Sequence, residues 1–89
     1  MSTKIRVLVV DDEQLLTEMI REGFEFHGFD VTEIFDGQTA AQAIESEPFD
    51  VILLDVNLPG FNGLQLIDNA KATKVNKNAI FYVMTGDVD

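Results

Sequence analysis

Four short apolar runs, separated by amphipathic or polar stretches, organise the chain. Lys4 to Val10, Phe29 to Phe35, Phe49 to Leu54 and Ala79 to Met84 are rich in Val, Ile, Leu and Phe, and each is only six or seven residues long. The first and third lack apolar/polar alternation, which suits strands buried on both faces of a parallel sheet. Between the first two runs, residues 13–27 place Leu15, Leu16, Met19, Ile20, Gly23 and Phe24 on one helical stripe. Glu18, Arg21, Glu22 and Glu25 fall opposite. Gly28 suits the left-handed end of that helix. Asp36-Gly37 is a turn signal, and Thr39 to Glu47 reads as a short helix burying Ala40, Ala43 and Ile44, stopped by Pro48. After the loop Pro59 to Gly63, the spacing predicts a helix from Leu64 to about Ala72 that buries Leu64, Ile67 and Ala70. Thr73 to Asn78 is a polar connection. Strands alternating with helices imply right-handed βαβ units and a mostly parallel sheet, in one small domain spanning residues 1–89.

Two of these strands stop abruptly at carboxylates: Val10-Asp11-Asp12-Glu13 and Leu54-Asp55-Val56-Asn57-Leu58-Pro59. If the strands are parallel neighbours, Asp11, Asp12 and Asp55 converge at one sheet edge. Three carboxylates in one crevice repel each other, and a hard cation such as Mg²⁺ relieves the repulsion. Read alone, Asp55 is equally well a loop-capping aspartate; its alignment with the acidic pair favours the site. Glu13 fits better as an acid at a helix start than as a ligand. The single histidine, His27, falls at a helix end, where it suits free carbonyls. The phenylalanines read as core or core-edge.

Sixteen acids against six bases give a net charge of −10, concentrated in the first fifty residues. This argues against direct nucleic-acid binding, which calls for a basic face. Most of the acids fit a solvated surface, and the strand-end ones stand apart. With no cysteine, thiolate zinc sites, disulfides and thiol redox chemistry are excluded. No apolar run approaches the roughly 20 residues of a membrane span, no signal-peptide core precedes the first strand, and a cytoplasmic location is the expectation.

Val9-Val10-Asp11-Asp12-Glu13, Leu53-Leu54-Asp55-Val56-Asn57-Leu58-Pro59-Gly60, Gly63 and Met84-Thr85-Gly86 stand in order, each strand motif at a strand end. With these the chain resembles the receiver domain of bacterial two-component response regulators, of the chemotaxis-regulator, flavodoxin-like type. The resemblance implies a three-layer, doubly wound parallel α/β sheet of strand order 2-1-3-4. The fifth strand and last two helices of such a domain have no counterpart here, nor does the lysine that the fifth strand carries. It further implies that Asp55 accepts a phosphoryl group from a histidine kinase or histidine phosphotransfer protein. Asp12 would ligate Mg²⁺ directly, Asp11 through water or nearby contacts, and Asn57 through its backbone carbonyl. Thr85 would hydrogen-bond the phosphoryl group as a switch. An output domain or effector would read the signal, and the module would not be a turnover enzyme.

Other readings are a receiver relic that no longer relays phosphate and serves interaction or self-association, with a fourth strand whose exposed apolar edge suits a homodimer. Asp55-Val56-Asn57 weakly resembles the nucleophile motif of haloacid-dehalogenase-type phosphatases, but Asn57 stands where that motif needs an acid. A flavodoxin reading lacks the Ser/Thr-rich phosphate loop after the first strand.

Overall fold

The computed structural model describes residues 4–84. Its strands are β1 (Arg6–Val10), β2 (Asp30–Ile34), β3 (Val51–Asp55) and β4 (Ile80–Met84), and its helices α1 (Gln14–Phe26), α2 (Gly37–Ser46) and α3 (Gly63–Lys71). The strands form one sheet in the order β2-β1-β3-β4, with every neighbouring pair parallel. The sequence reading therefore placed every element and their order correctly, with ends differing by one or two residues.

Alternating side chains partition the sheet between two layers. Leu8, Val10, Ile52 and Leu54 point toward α2 and α3, where they join Ile34, Ala40, Ala43, Ile44, Phe49, Leu58, Leu66 and Ala70. Val7, Val9 and Val31 face the other way, against Ile20 and Phe24 of α1. Val7 to Val10 are almost wholly enclosed, and burial of such side chains contributes about 2 kcal/mol each. The continuous apolar run of β1 is what a strand covered on both faces needs.

The α1–β2 junction shows how local chemistry sets an element's end. Gly28 adopts φ +90°, the left-handed conformation that glycine reaches without a Cβ penalty. Its N–H donates to Glu25 O at 3.0 Å, and the Phe29 N–H donates to Phe24 O at 3.1 Å, the paired bonds of a Schellman cap. The Phe24 and Phe29 rings then meet edge-on at 5.3 Å. Arg21 further ties α1 to β2 through Glu33, at 2.7 Å.

Three expectations are corrected. On α1, Leu15 and Met19 are 77% and 68% exposed, and the inward stripe is Thr17, Ile20 and Phe24. The helix carries an apolar arc wider than the sheet can cover, so the pattern alone could not say which part turns inward. In α3 Leu66 is buried and Leu64 is not, because the helix begins at Gly63, capped by Asn62, with its Leu66 and Ala70 rows facing the core. Phe26 is 86% exposed instead of core; its ring meets that of His27 edge-on, at the end of α1.

Cover is uneven on the α1 side. Val51 and Leu53 stay partly exposed there and line an apolar groove of about 420 Å³ with Ile5, Val7, Phe24, Phe29 and Tyr82. Among the described residues β4 is an outer strand of the sheet. Of the apolar residues Ile80, Phe81, Val83 and Met84 expected to be exposed there, Ile80 and Val83 are, together with Tyr82, while Phe81 and Met84 are partly buried.

Candidate functional site

Strand register builds the site. Val10 of β1 pairs with Leu54 of β3, so the next residues, Asp11 and Asp55, emerge level with each other at the carboxyl edge. The chain moves from β1 to β2 on one side and then returns to place β3 on the other. The winding direction thus reverses between β1 and β3, where open α/β sheets bind ligands.

Both aspartates fold the chain the same way as it leaves the strand. Asp11 Oδ1 accepts the Glu13 N–H at 2.9 Å, and Asp55 Oδ1 accepts the Asn57 N–H at 2.9 Å. Such side-chain turns two residues long are an ordinary use of aspartate after a strand. Here they also fix the two carboxylates. The Asp11 backbone N–H is held by Ile34 O at 3.1 Å. One carboxylate oxygen from each of Asp11, Asp12 and Asp55 lies within 4.8 Å of the others. Asp11 is buried, Asp55 partly exposed and Asp12 exposed.

The electrostatics follow from this crowding. Burial pushes the Asp11 carboxyl above its ordinary range. The Glu13 N–H opposes that shift, and the negative charges of Asp55, Glu13 and Asp12 add to it. A site that raises the cost of its own charge is poised for a cation. Three closely spaced carboxylate oxygens suit a hard, oxygen-seeking divalent ion of the Mg²⁺ or Ca²⁺ kind. Asp55 is partly exposed, so a reactant can reach it as it can the exposed Asp12, whereas Asp11 is enclosed. Glu13 sits at the N-cap of α1, where its side chain makes no capping hydrogen bond.

The loop after Asp55 is anchored at several points. Leu58 is buried, and the Phe61 N–H donates to Leu58 O at 3.2 Å. Gly60 turns the chain at φ +69°. Asn62 Oδ1 accepts the Leu64 N–H at 3.0 Å, capping α3. A β-carbon on Gly63 would lie 2.7 Å from Val56 Cα, so the helix start packs directly on the loop. Asn57 is exposed, with its N–H committed to Asp55.

The structure thus brings Asp11, Asp12 and Asp55 together and sets Asn57 beside them. Thr85 lies outside the described residues. Its predecessor Met84 pairs in register with Asp55. Gly37 read as turn punctuation and Phe61 as core or core-edge, where it lies; what the sequence did not signal is their close approach, which links positions 24 apart in the chain.

Comparison with known proteins gives a consistent result. The family model for the response regulator receiver domain matches residues 7–89. The transcriptional regulatory protein TrcR of Mycobacterium tuberculosis is 35% identical over 77 residues, covering 86% of this chain and 30% of TrcR. The chain therefore spans about a third of the length of such relatives. A response regulator protein from Burkholderia pseudomallei, whose crystal structure holds a phosphorylated aspartic acid, a calcium ion and citrate, superposes with TM-score 0.85. It is 26% identical, over 97% of this chain and 49% of that one. A chain of the complex between histidine kinase ThkA and response regulator protein TrrA superposes with TM-score 0.81. It is 28% identical, over 96% of this chain and 72% of that one.

Proposed function

Because the chain belongs to the response regulator receiver family, we propose that Asp55 accepts a phosphoryl group within a two-component signalling system. The observation that carries this is the convergence of Asp11, Asp12 and Asp55 at the sheet's switch point. In the proposed reaction a carboxylate oxygen of Asp55 attacks phosphorus in line. An oxygen–phosphorus bond forms as the bond to the donor's leaving group, a histidine nitrogen, breaks. Asp55 is oriented for this by the Asn57 N–H on its Oδ1, which leaves the carboxylate little freedom to turn.

Asp11 and Asp12 supply the oxygens to hold Mg²⁺ beside Asp55, and the Asn57 carbonyl is the further ligand that the family resemblance implies. When bound, the ion offsets the negative charge that builds on the transferring oxygens. Thr85, next in the chain after the residue paired with Asp55, is proposed to donate its hydroxyl hydrogen to a phosphoryl oxygen and draw its loop inward. A histidine kinase or histidine phosphotransfer protein is the proposed donor; ThkA–TrrA is such a kinase–regulator pair. An attached output domain or effector would read the phosphorylated state, in the cytoplasm, and the role is that of a signalling module. Self-association through the β4 edge is a further proposed contact, supported by the exposed Ile80 and Val83.

The test is intact mass spectrometry before and after incubation with acetyl phosphate, in Mg²⁺ and in EDTA, with Asp55→Asn alongside. One added phosphoryl group that requires Mg²⁺ and disappears in the variant is expected. The same gain in Asp55→Asn would overturn the assignment, and no gain at all in the wild type would favour the relic reading.

A further inference from the structure

Gly37 opens α2 and is buried. A β-carbon built on it would lie 2.6 and 2.7 Å from Phe61 Cδ1 and Cδ2, and still nearer Cγ. The ring of Phe61 therefore rests by its stem end on a bare α-carbon. A clash at Cγ is not relieved by swinging the far edge of the ring; either the whole ring turns about its Cα–Cβ bond and leaves its partly buried seat against the core, or the loop's main chain moves. That main chain leads straight to the acceptor. Phe61 N–H is bonded to Leu58 O, Leu58 is buried in the core, and the neighbouring Asn57 N–H holds Asp55 Oδ1.

We infer that Phe61, seated on Gly37, is a positioning residue for Asp55: the absence of a side chain at 37 sets the height of the 56–62 loop and thereby the aim of the acceptor carboxylate toward Asp11 and Asp12. The inference rests on the phosphoacceptor reading above. It couples two turns at the carboxyl edge, the one before α2 and the one after β3. A side chain at 37 displaces the ring, and the loop then either follows it or loses the packing that holds it.

The experiment is Mg²⁺ titration by calorimetry, with the rate of phosphoryl uptake from acetyl phosphate, on the full-length protein. The variants are Gly37→Ala, Phe61→Ala and the pair combined, each at a temperature where circular dichroism shows it folded. Each single change is expected to weaken Mg²⁺ binding about 10-fold, the usual lower range for losing a group that orients a ligand. In the Phe61→Ala background Gly37→Ala is expected to cost nothing further, because the methyl group acts only through the ring. Val31→Ala, a truncation on the opposite face of the sheet, is expected to lower the melting temperature and leave Mg²⁺ affinity unchanged; equal weakening there would reduce the effect to general instability and overturn the inference. So would an equal cost of Gly37→Ala in both backgrounds, or unchanged affinity in both single variants. If Gly37→Ala does not fold, Phe61→Ala decides alone, wild-type affinity overturning the inference. A wild type that takes neither Mg²⁺ nor phosphoryl would sink the functional reading itself, whereas a competent wild type with indifferent variants sinks only this one.

Discussion

Asp11→Asn separates the charge of the acidic crevice from its shape. Asparagine keeps the side-chain volume and an oxygen to accept the Glu13 N–H that Asp11 accepts at 2.9 Å. What it removes is one negative charge whose oxygen lies within 4.8 Å of those of Asp12 and Asp55. At an effective dielectric near 20, unit charges at that separation repel by about 3 to 4 kcal/mol per pair. Asp12 is exposed and Asp55 partly so, which screens much of this. A net gain of about 1–2 kcal/mol in the metal-free protein at neutral pH is expected. Since burial and the neighbouring charges raise the Asp11 pKa, the native state binds a proton there more tightly than the unfolded chain does. Wild-type stability is then lost as pH rises from the ordinary value of 3.8 through the raised native one. Wild type and variant should converge toward pH 3.8 and separate above it. Mg²⁺ should reverse the order, adding about 2.7 kcal/mol to the wild type at a hundred times its dissociation constant and far less to the variant. Urea unfolding followed by far-UV circular dichroism, in EDTA and in saturating Mg²⁺ across this pH range, measures all three quantities. An Asp11→Asn protein that is less stable in EDTA at neutral pH, or that keeps the full Mg²⁺ increment, would refute the reasoning.

Other outcomes are expected elsewhere. Buried Asn76 accepts the Phe49 N–H at 2.8 Å and donates to Ile44 O and Glu47 O at 2.6 and 2.8 Å. Asn76→Ala should cost about 3–5 kcal/mol in urea unfolding, and Asn76→Asp should do no better, since a carboxylate cannot donate to those carbonyls. Gly63→Ala, whose new methyl meets Val56 backbone at 2.7 Å, should lower stability by about 2 kcal/mol in the same assay; a neutral result would mean that the α3 start is free to shift. Asp36 caps α2 by accepting the Thr39 N–H at 2.8 Å, which holds its carboxyl below the ordinary range. Its contribution is present above pH 3.8 and is lost as pH falls through the lower native value. Asp36→Asn should retain the cap and flatten that part of the pH–melting curve, while Asp36→Ala should lower the melting temperature at neutral pH.

The alternation of apolar runs with amphipathic stretches was enough to specify the element order and the parallel sheet. The blunt ending of two such runs at Asp11-Asp12 and Asp55 was enough to nominate the acidic site. Both are local signals: a strand buried on two faces must read apolar throughout, and acids at the ends of two such strands together say more than the loop cap a lone aspartate supplies. The order of motifs around those acids carried the family resemblance for the same reason. Tertiary structure alone decided what depends on position across the fold. It turned Thr17, Ile20 and Phe24 of α1 inward and left Leu15 and Met19 in solvent, because one helix covers a narrower band of sheet than its apolar arc could fill. It buried Leu66 in place of Leu64. It also made Asn76 a bridge between two connections and Gly37 a seat for Phe61. Those pairings join residues from 24 to 32 positions apart. Periodicity reports which residues avoid water along one element, and only packing decides which of them meet.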